Sequence, residues 1–146
     1  MFWSVRTNSD IEHFNFVISS LINKSMLYTN LKHIENAAHH NKVISENENV
    51  MVCCGRMGPM CTPVYTVMES IEDEYPNIKF FDMEFDNPES NVIRTLPEVR
   101  GFMGIPFVIY YKNGKVEKAT SSIQSKAQIK DILESVYTMN TEKKPI

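Results

Sequence analysis

Three cysteines lie close together in the segment VCCGRMGPMCTPVY, at positions 53, 54 and 61. A cysteine thiolate is a nucleophile, and two suitably spaced thiols can exchange electrons with a disulfide in another molecule. The segment also holds two glycines and two prolines, which are typical of a turn between regular elements. The C-x-x-C spacing that closes a disulfide within one helical turn is absent. The segment is therefore a candidate thiol site whose cysteines have an unusual spacing.

The composition is that of one globular domain. The chain has 146 residues, of which 42% are hydrophobic and 23% are charged. The net charge is −3 and the basic residues are scattered, so we expect no nucleic-acid partner. No apolar run approaches the ~20 residues of a membrane span, and the first ten residues do not resemble a signal peptide. An odd number of cysteines suits a reducing compartment, so we expect a cytoplasmic protein.

Apolar runs in the middle of the chain predict alternating strands and helices. A continuous run at residues 50–54 predicts a central strand that is buried on both faces. Pro59 suits the first position of the helix that follows, because its missing N–H is not needed there. Further strands are predicted at residues 78–85 and 106–111, with a short helical region at residues 86–101 between them.

The ends of the chain carry helix and turn signals. Ser9 and Glu12 form a capping box, and six apolar residues share one helical face: Ile11, Phe14, Val17, Ile18, Leu21 and Ile22. We therefore expect a helix within an N-terminal extension of residues 1–25. A second helix is predicted to begin at residue 29 or 30 and to bury one apolar face made of Leu31, Ile34, Ala37 and Ala38.

The second half of the chain ends in a hairpin and a helix. Asn113 and Gly114 form a strong hairpin signal. Ser125 and Gln128 form another capping box, which opens the last predicted helix. The alternation of elements along the whole chain predicts an α/β fold, with a central mixed β-sheet flanked by helices on both faces.

This order, with a Gly-Pro-x-Cys segment opening a helix after a buried strand, resembles the thioredoxin-like family. IEDEYPNIKF resembles the end of that helix and the next strand of the family. GIPFVIYYKNGKVEK resembles its cis-proline and terminal hairpin, and SKAQIKDIL its last helix. The likeness covers roughly residues 26–138. It implies a thioredoxin-like domain at residues 26–139. The polar composition of residues 140–146 predicts a flexible tail after this domain.

The active-site motif is the part in which this chain departs most from the family. In the family, a C-x-x-C at the helix N-terminus supplies an attacking and a resolving thiol. An ungapped alignment places Gly58 at the attacking position and Cys61 at the resolving one. It also places Val52 where the family keeps a buried carboxylate, and Cys54 on a site-facing aromatic. A second alignment makes Cys61 the attacking thiol and Val64 the residue at the resolving position. It needs a longer loop before Cys61 and a shorter helix after it, so we favour the first.

Cys61 is the candidate catalytic thiol in the chain, and the sequence leaves open a pairing with Cys54. The glycines between the two make the loop pliable enough to fold back, provided that the Cα atoms come within roughly 7 Å. Cys53 points away from Cys54 on the same strand and is predicted to pack in the core. The resemblance implies that a protein substrate binds as an added strand beside Ile105. The implied substrate-binding residues are Met57, Gly58, Pro59, Met60, Gly104, Ile105 and Pro106.

Two functions follow from this pattern. The first is thiol–disulfide exchange with protein substrates through Cys61. The second is a non-catalytic interaction module with a thioredoxin-like fold that has lost the dithiol motif. A glutathione-using monothiol protein is a third, which requires the second alignment. Neither a cofactor nor a metal site is expected, since His39 and His40 lack further ligands at a recognisable spacing. The sequence leaves open whether the chain is an enzyme and how it oligomerises.

Overall fold

A computed structural model describes residues 27–137 of the chain. Its centre is a five-stranded sheet in the order β1-β3-β2-β4-β5. The strands are β1 (Lys32–Ile34), β2 (Asn49–Gly55), β3 (Lys79–Glu84), β4 (Phe107–Lys112) and β5 (Lys115–Ser121). β3 pairs in parallel with β1 and β2, whereas β4 is antiparallel to both β2 and β5. The predicted mixed sheet of an α/β fold is therefore confirmed.

Helices cover both faces of this sheet. Within the described residues they are α1 (Ala37–Glu46), α2 (Thr62–Ile71), α3 (Asn91–Arg94) and α4 (Lys126–Val136). α2 and α4 pack on one face and form the first core, in which Val64, Met68 and Leu133 are fully buried. α1 and α3 pack on the other face and form the second core, with Val43 and Ile93. All the described helices are too short or too polar to cross a lipid bilayer.

β2 is buried along its whole length, as the continuous apolar run predicts. Because successive side chains on a strand point to opposite faces, Met51 and Cys53 enter the first core, whereas Val52 and Cys54 enter the second. The strand therefore contributes to both cores and fixes the place of the loop that follows it.

The prediction of a helix from residue 29 or 30 is wrong. Residues Lys32–Ile34 form the edge strand β1, and α1 begins only at Ala37. Leu31 and Ile34 have helical spacing, but they belong to opposite cores, which is the arrangement that a strand gives to residues three apart. Asn36 caps α1 by accepting the N–H of His39 at 2.7 Å. α1 escaped prediction because its sequence is largely polar and only His40 and Val43 are buried.

Other local predictions are confirmed. The short helical region contains two 3₁₀ turns, at Pro88–Ser90 and Pro97–Val99, with α3 between them. Asn113 and Gly114 both have positive φ and connect β4 to β5. The capping box of α4 forms in both directions between Ser125 and Gln128. The predicted N-terminal helix, with its Ser9–Glu12 capping box, and the tail from residue 140 lie outside the described residues.

A buried histidine leads to a prediction about pH. Nε2 of His40 is 2.7 Å from the hydroxyl of Tyr111, and Nδ1 is 2.9 Å from Oδ1 of Asn41. An amide oxygen only accepts, so Nδ1 carries the hydrogen and Nε2 accepts from the tyrosine. Burial lowers the pKa of His40 below 6.5, which means that the unfolded chain binds the proton more readily. The free energy of unfolding should therefore fall as the pH drops below about 6.5.

Urea unfolding at pH 8 and pH 5.5 checks this expectation. Each unit of lowered pKa corresponds to about 1.4 kcal/mol of lost stability at low pH. His40→Gln should reduce the pH dependence strongly. His39→Gln, on the same helix but only partly buried, should reduce it less, because the charge of His39 contributes less than burial to the lowered pKa of His40. An equal pH dependence in wild type and His40→Gln would show that His40 is not the group responsible.

Candidate functional site

The cysteine segment connects the end of β2 to the beginning of α2. α2 begins at Thr62, with Cys61 as its N-cap residue and Pro63 in its first turn. The N–H of Thr62 donates to the carbonyl of Gly58 at 2.9 Å, which closes a turn around Pro59. The prediction that Pro59 is the first helical residue is therefore wrong. Pro63 takes the position in the first turn, where a missing N–H costs nothing.

Cys61 is buried behind this turn, with only 2% of its surface exposed. Its Sγ accepts the N–H of Arg56 at 3.4 Å. It also lies close against β2, because a Cβ on Gly55 would be 2.7 Å from it. Burial raises the pKa of the Cys61 thiol, although the hydrogen bond and the charge of Arg56 partly oppose this. The neutral thiol therefore dominates at neutral pH, and it is a weak nucleophile.

Gly58 occupies the accessible part of the turn. A Cβ on this residue would meet nothing within 4 Å, and Pro59 and Met60 beside it are exposed. The position that the ungapped alignment assigns to an attacking thiol is therefore open, but it carries no side chain.

The other two cysteines lie on opposite faces of β2. Cys54 packs in the second core, whereas Cys53 packs in the first core together with Cys61. All three thiols are free. Burial raises the pKa of Cys54 to about 12. It raises that of Cys53 well above the ordinary value, with the neighbouring Cys61 adding to the shift. The fold thus disfavours the suggested pairing of Cys54 with Cys61, because β2 itself separates them.

A buried carboxylate beside the thiols was missed by the sequence reasoning. The side chain of Asp82 on β3 is fully buried and lies in register with Cys53. Its carboxylate accepts from the hydroxyl of Thr29 and is 2.6 Å from Nδ1 of His33. Burial raises the pKa of Asp82, while these two hydrogen bonds act in the opposite direction. The signal for it in the sequence is an acidic residue at the centre of a largely apolar strand.

The loop before β4 lies against the cysteine segment. The peptide bond between Ile105 and Pro106 is cis, and Cβ of Pro106 would lie 3.1 Å from a Cβ on Gly55. The carbonyl of Pro106 accepts the N–H of Ser122 at 3.0 Å. A Cβ on Gly104 would be only 2.8 Å from the hydroxyl oxygen of Ser122. These contacts place the loop around Pro106 beside the end of β2, where the cysteine segment begins.

Exposed apolar side chains surround this end of the molecule. Tyr28 contacts the turn directly, because its N–H donates to Sδ of Met57 at 3.4 Å. Met103 precedes Ile105 by two residues, and Ile123 follows Ser122. The exposed large apolar residues of the described chain are Tyr28 (79%), Met57 (41%), Met60 (43%), Met103 (96%) and Ile123 (46%). We call this set the apolar rim. An exposed apolar cluster of this kind is a common feature of protein-binding surfaces.

An ion pair between Arg56 and Asp86 also lies next to the turn. Nε and Nη2 of Arg56 donate to the two carboxylate oxygens of Asp86, at 2.8 and 3.0 Å. This exposed ion pair borders the turn on the side of β3. Among residues 27–137, no group of three or more histidine, cysteine or acidic side chains is arranged to hold a metal ion.

Comparison with known proteins identifies the fold. No family model matches the sequence, and neither does any curated protein. Plasmodium falciparum thioredoxin is 22% identical, with a TM-score of 0.62, and the match covers 72% of this chain and 98% of that one. Thioredoxin O2 from Arabidopsis thaliana is 15% identical, with a TM-score of 0.60 over 77% and 99% of the two chains. Trypanosoma brucei brucei thioredoxin is 18% identical, with a TM-score of 0.57 over 75% and 96%. The chain therefore has the thioredoxin-like fold that its sequence predicts.

Proposed function

We propose that the protein is a non-catalytic binding module that holds extended segments of other proteins in the groove between its two loops. One observation carries the proposal: Gly58, at the position where the ungapped alignment expects the attacking thiol, has open space for a side chain but carries none, whereas Cys61 lies buried behind the turn. A surface without an exposed thiolate cannot attack a disulfide. A groove is supported by the position of Pro106, which lies against Gly55 at the end of β2, directly before the turn.

The apolar rim supports binding through side chains. Met57 and Met60 belong to the turn and are exposed, and Met103, in the loop that leads to Ile105, is almost fully exposed. Methionine is flexible and polarisable, so it adapts to partners of different shape. A partner strand laid beside Ile105 would place alternate side chains against this rim, while main-chain hydrogen bonds fix its direction. The partner is thus a protein segment that is extended and carries apolar side chains at alternate positions.

Selection from a displayed library of random short peptides tests this function. The wild-type chain should enrich apolar sequences, and Met103→Asp should weaken binding of the selected peptides by about tenfold, because a charge at a buried contact costs roughly 1.4 kcal/mol or more. Ser45→Asp is the matched control, since Ser45 is exposed and lies on α1, away from the groove. An absence of enriched peptides, or an equal loss in Ser45→Asp, would contradict the proposal.

Thiol–disulfide exchange through Cys61 is the second candidate. The observation in its favour is that Cys61 occupies the N-cap position of α2 and its Sγ accepts the N–H of Arg56, and both features favour a thiolate. It would act on disulfides of protein substrates that bind in the same groove. Reduction of insulin by the wild-type chain, abolished in Cys61→Ser, would favour this candidate over the binding module.

A further inference from the structure

Two of the three thiols share one face of β2. Cys53 and Gly55 are two residues apart, so their Cβ directions agree and are separated by roughly 6.5 Å along the strand. Sγ of Cys61 lies 2.7 Å from the position of a Cβ on Gly55. The sulfur of Cys61 therefore lies over the same face of β2 as the Cys53 side chain, against the strand position two residues away. The absence of a side chain at Gly55 is what allows α2 to bring Cys61 so close to the strand.

The surroundings of Cys53 differ from those of Cys54. Cys53 and Cys61 lie in the same core, and Tyr65 lies beside them. After burial, the neighbouring thiol of Cys61 is the largest cause of the raised pKa of Cys53. For Cys54, by contrast, the first charged influence is Arg94, which lowers its pKa. The two adjacent cysteines thus face different partners, and only Cys53 faces Cys61.

We propose that Cys53 and Cys61 form a reversible disulfide when a hydroperoxide reaches the turn, so that the two residues are a hidden oxidation site. Their spacing, with seven residues between them, differs from that of C-x-x-C. The site is independent of peptide binding in the groove. Access requires a local opening of residues 56–60, most of which are exposed.

The chemistry begins at Cys61. A hydroperoxide, ROOH, transfers its terminal oxygen to the thiol of Cys61 and leaves as the alcohol ROH, which gives a sulfenic acid. The thiol of Cys53 then gives up its proton, and its sulfur attacks Sγ of Cys61. The hydroxide that leaves takes up the proton as water. In total, two thiols and one hydroperoxide become one disulfide, one alcohol and one water.

Asp82 is the acceptor for the proton of Cys53. It is the register partner of Cys53 on β3 and is fully buried. The groups that face its carboxylate are Thr29 and His33 from the β1 side, Cys53 from β2, and Tyr65 and Glu69 from α2. The side chain of His33 is 32% exposed, so it connects this buried carboxylate to solvent.

Oxidation of the full chain with hydrogen peroxide tests the pair. The expected product is a monomer that has lost two hydrogens, regains them with dithiothreitol, and contains a link between the tryptic peptides on either side of Arg56. Cys54→Ser should form this product as wild type does, whereas Cys53→Ser should not. Circular dichroism of each variant checks that it is folded, and Cys53→Ala replaces Cys53→Ser if the serine variant is not.

Three outcomes would overturn the inference. The first is an intramolecular disulfide that still forms in Cys53→Ser but is lost in Cys54→Ser. The second is oxidation of Cys61 to the sulfinic acid without any disulfide. The third is disulfides that form only between molecules. Asp82→Asn should slow the closing of the disulfide while Cys61 is oxidised at the wild-type rate. An unchanged rate of closure would overturn the role of Asp82. Because mass detects the link without any peptide ligand, failure of this inference is distinguishable from failure of the binding function.

Discussion

The Gly58→Cys variant should reduce insulin disulfides in the presence of dithiothreitol, at a rate well above that of the wild-type chain. The substitution restores a C-x-x-C across Pro59 and Met60, with Cys61 as the second cysteine. The new Cβ would meet nothing within 4 Å, so the turn has room for the substitution. A thiol there would lie one turn ahead of α2, where helix N–H groups lower a cysteine pKa to about 3.5–7.5. Cys61 would then resolve the mixed disulfide from behind.

Controls separate the chemistry from the change in shape. Gly58→Ser has nearly the same volume and should remain inactive. The double variant Gly58→Cys with Cys61→Ser should accumulate mixed disulfides with insulin, because it has no resolving thiol. Mass spectrometry of oxidised Gly58→Cys should place the new disulfide between residues 58 and 61. If that link does not form, the ungapped alignment is wrong, and the alternative that makes Cys61 the attacking thiol gains support.

The insulin-reducing activity of Gly58→Cys would also show which parts of the family's catalytic site the wild-type chain retains. The ungapped alignment places Val52 where the family keeps its buried carboxylate, and Val52 lies in the second core. The variant would therefore lack a proton acceptor from that position, and its rate would report how far Asp82 substitutes for it. If Gly58→Cys reduces insulin and the wild-type chain does not, then the missing thiol at position 58 is the one difference that keeps this chain from catalysis.

Local signals in the sequence predicted much of the fold. The run at β2, the turn at Asn113 and the capping box at Ser125 each depend on neighbours along the chain, and each forms as predicted. β1 and α1 were misplaced because their boundary is fixed by pairing. β1 is an edge strand of three residues that exists through its contacts with β3, nearly fifty residues away. The pairing with β3 therefore decides the structure of this segment, and it outweighs the helical spacing of Leu31 and Ile34.

The candidate site depended on information that the sequence does not carry. Alternation along β2 correctly separates Cys53 from Cys54, but it does not say which of the two faces α2. That choice is made by the side on which the chain crosses from β2 to β3, and it selects Cys53. The same crossover brings Asp82 beside Cys53, so an acidic residue within the predicted strand at residues 78–85 is buried. The groove residues were easier to predict, because they lie in two loops with turn-forming sequences.

Gly55→Ala should destabilise the protein by about 1–3 kcal/mol, which is the usual cost of adding a methyl group to a close-packed core. The added Cβ would lie 2.7 Å from Sγ of Cys61, 2.9 Å from the hydroxyl of Tyr65 and 3.1 Å from Cβ of Pro106. These close contacts can be relieved only if α2 moves outward. That movement would lengthen the hydrogen bond from the Tyr65 hydroxyl to the carbonyl of Arg56, which is 3.1 Å long in the wild type. The measurement is the urea midpoint, converted to a free energy of unfolding.

Gly58→Ala is the matched control, because the same methyl group meets nothing within 4 Å there and the φ of Gly58 is not positive. Its effect should stay within about 0.5 kcal/mol. Adding Cys61→Ala to Gly55→Ala removes the nearest clash, so the two changes should be less damaging together than their sum predicts. A Gly55→Ala variant as stable as Gly58→Ala would mean that the sulfur of Cys61 does not lie against β2. The proposed approach of Cys61 to Cys53 would then lose its geometric basis, whatever the groove binds.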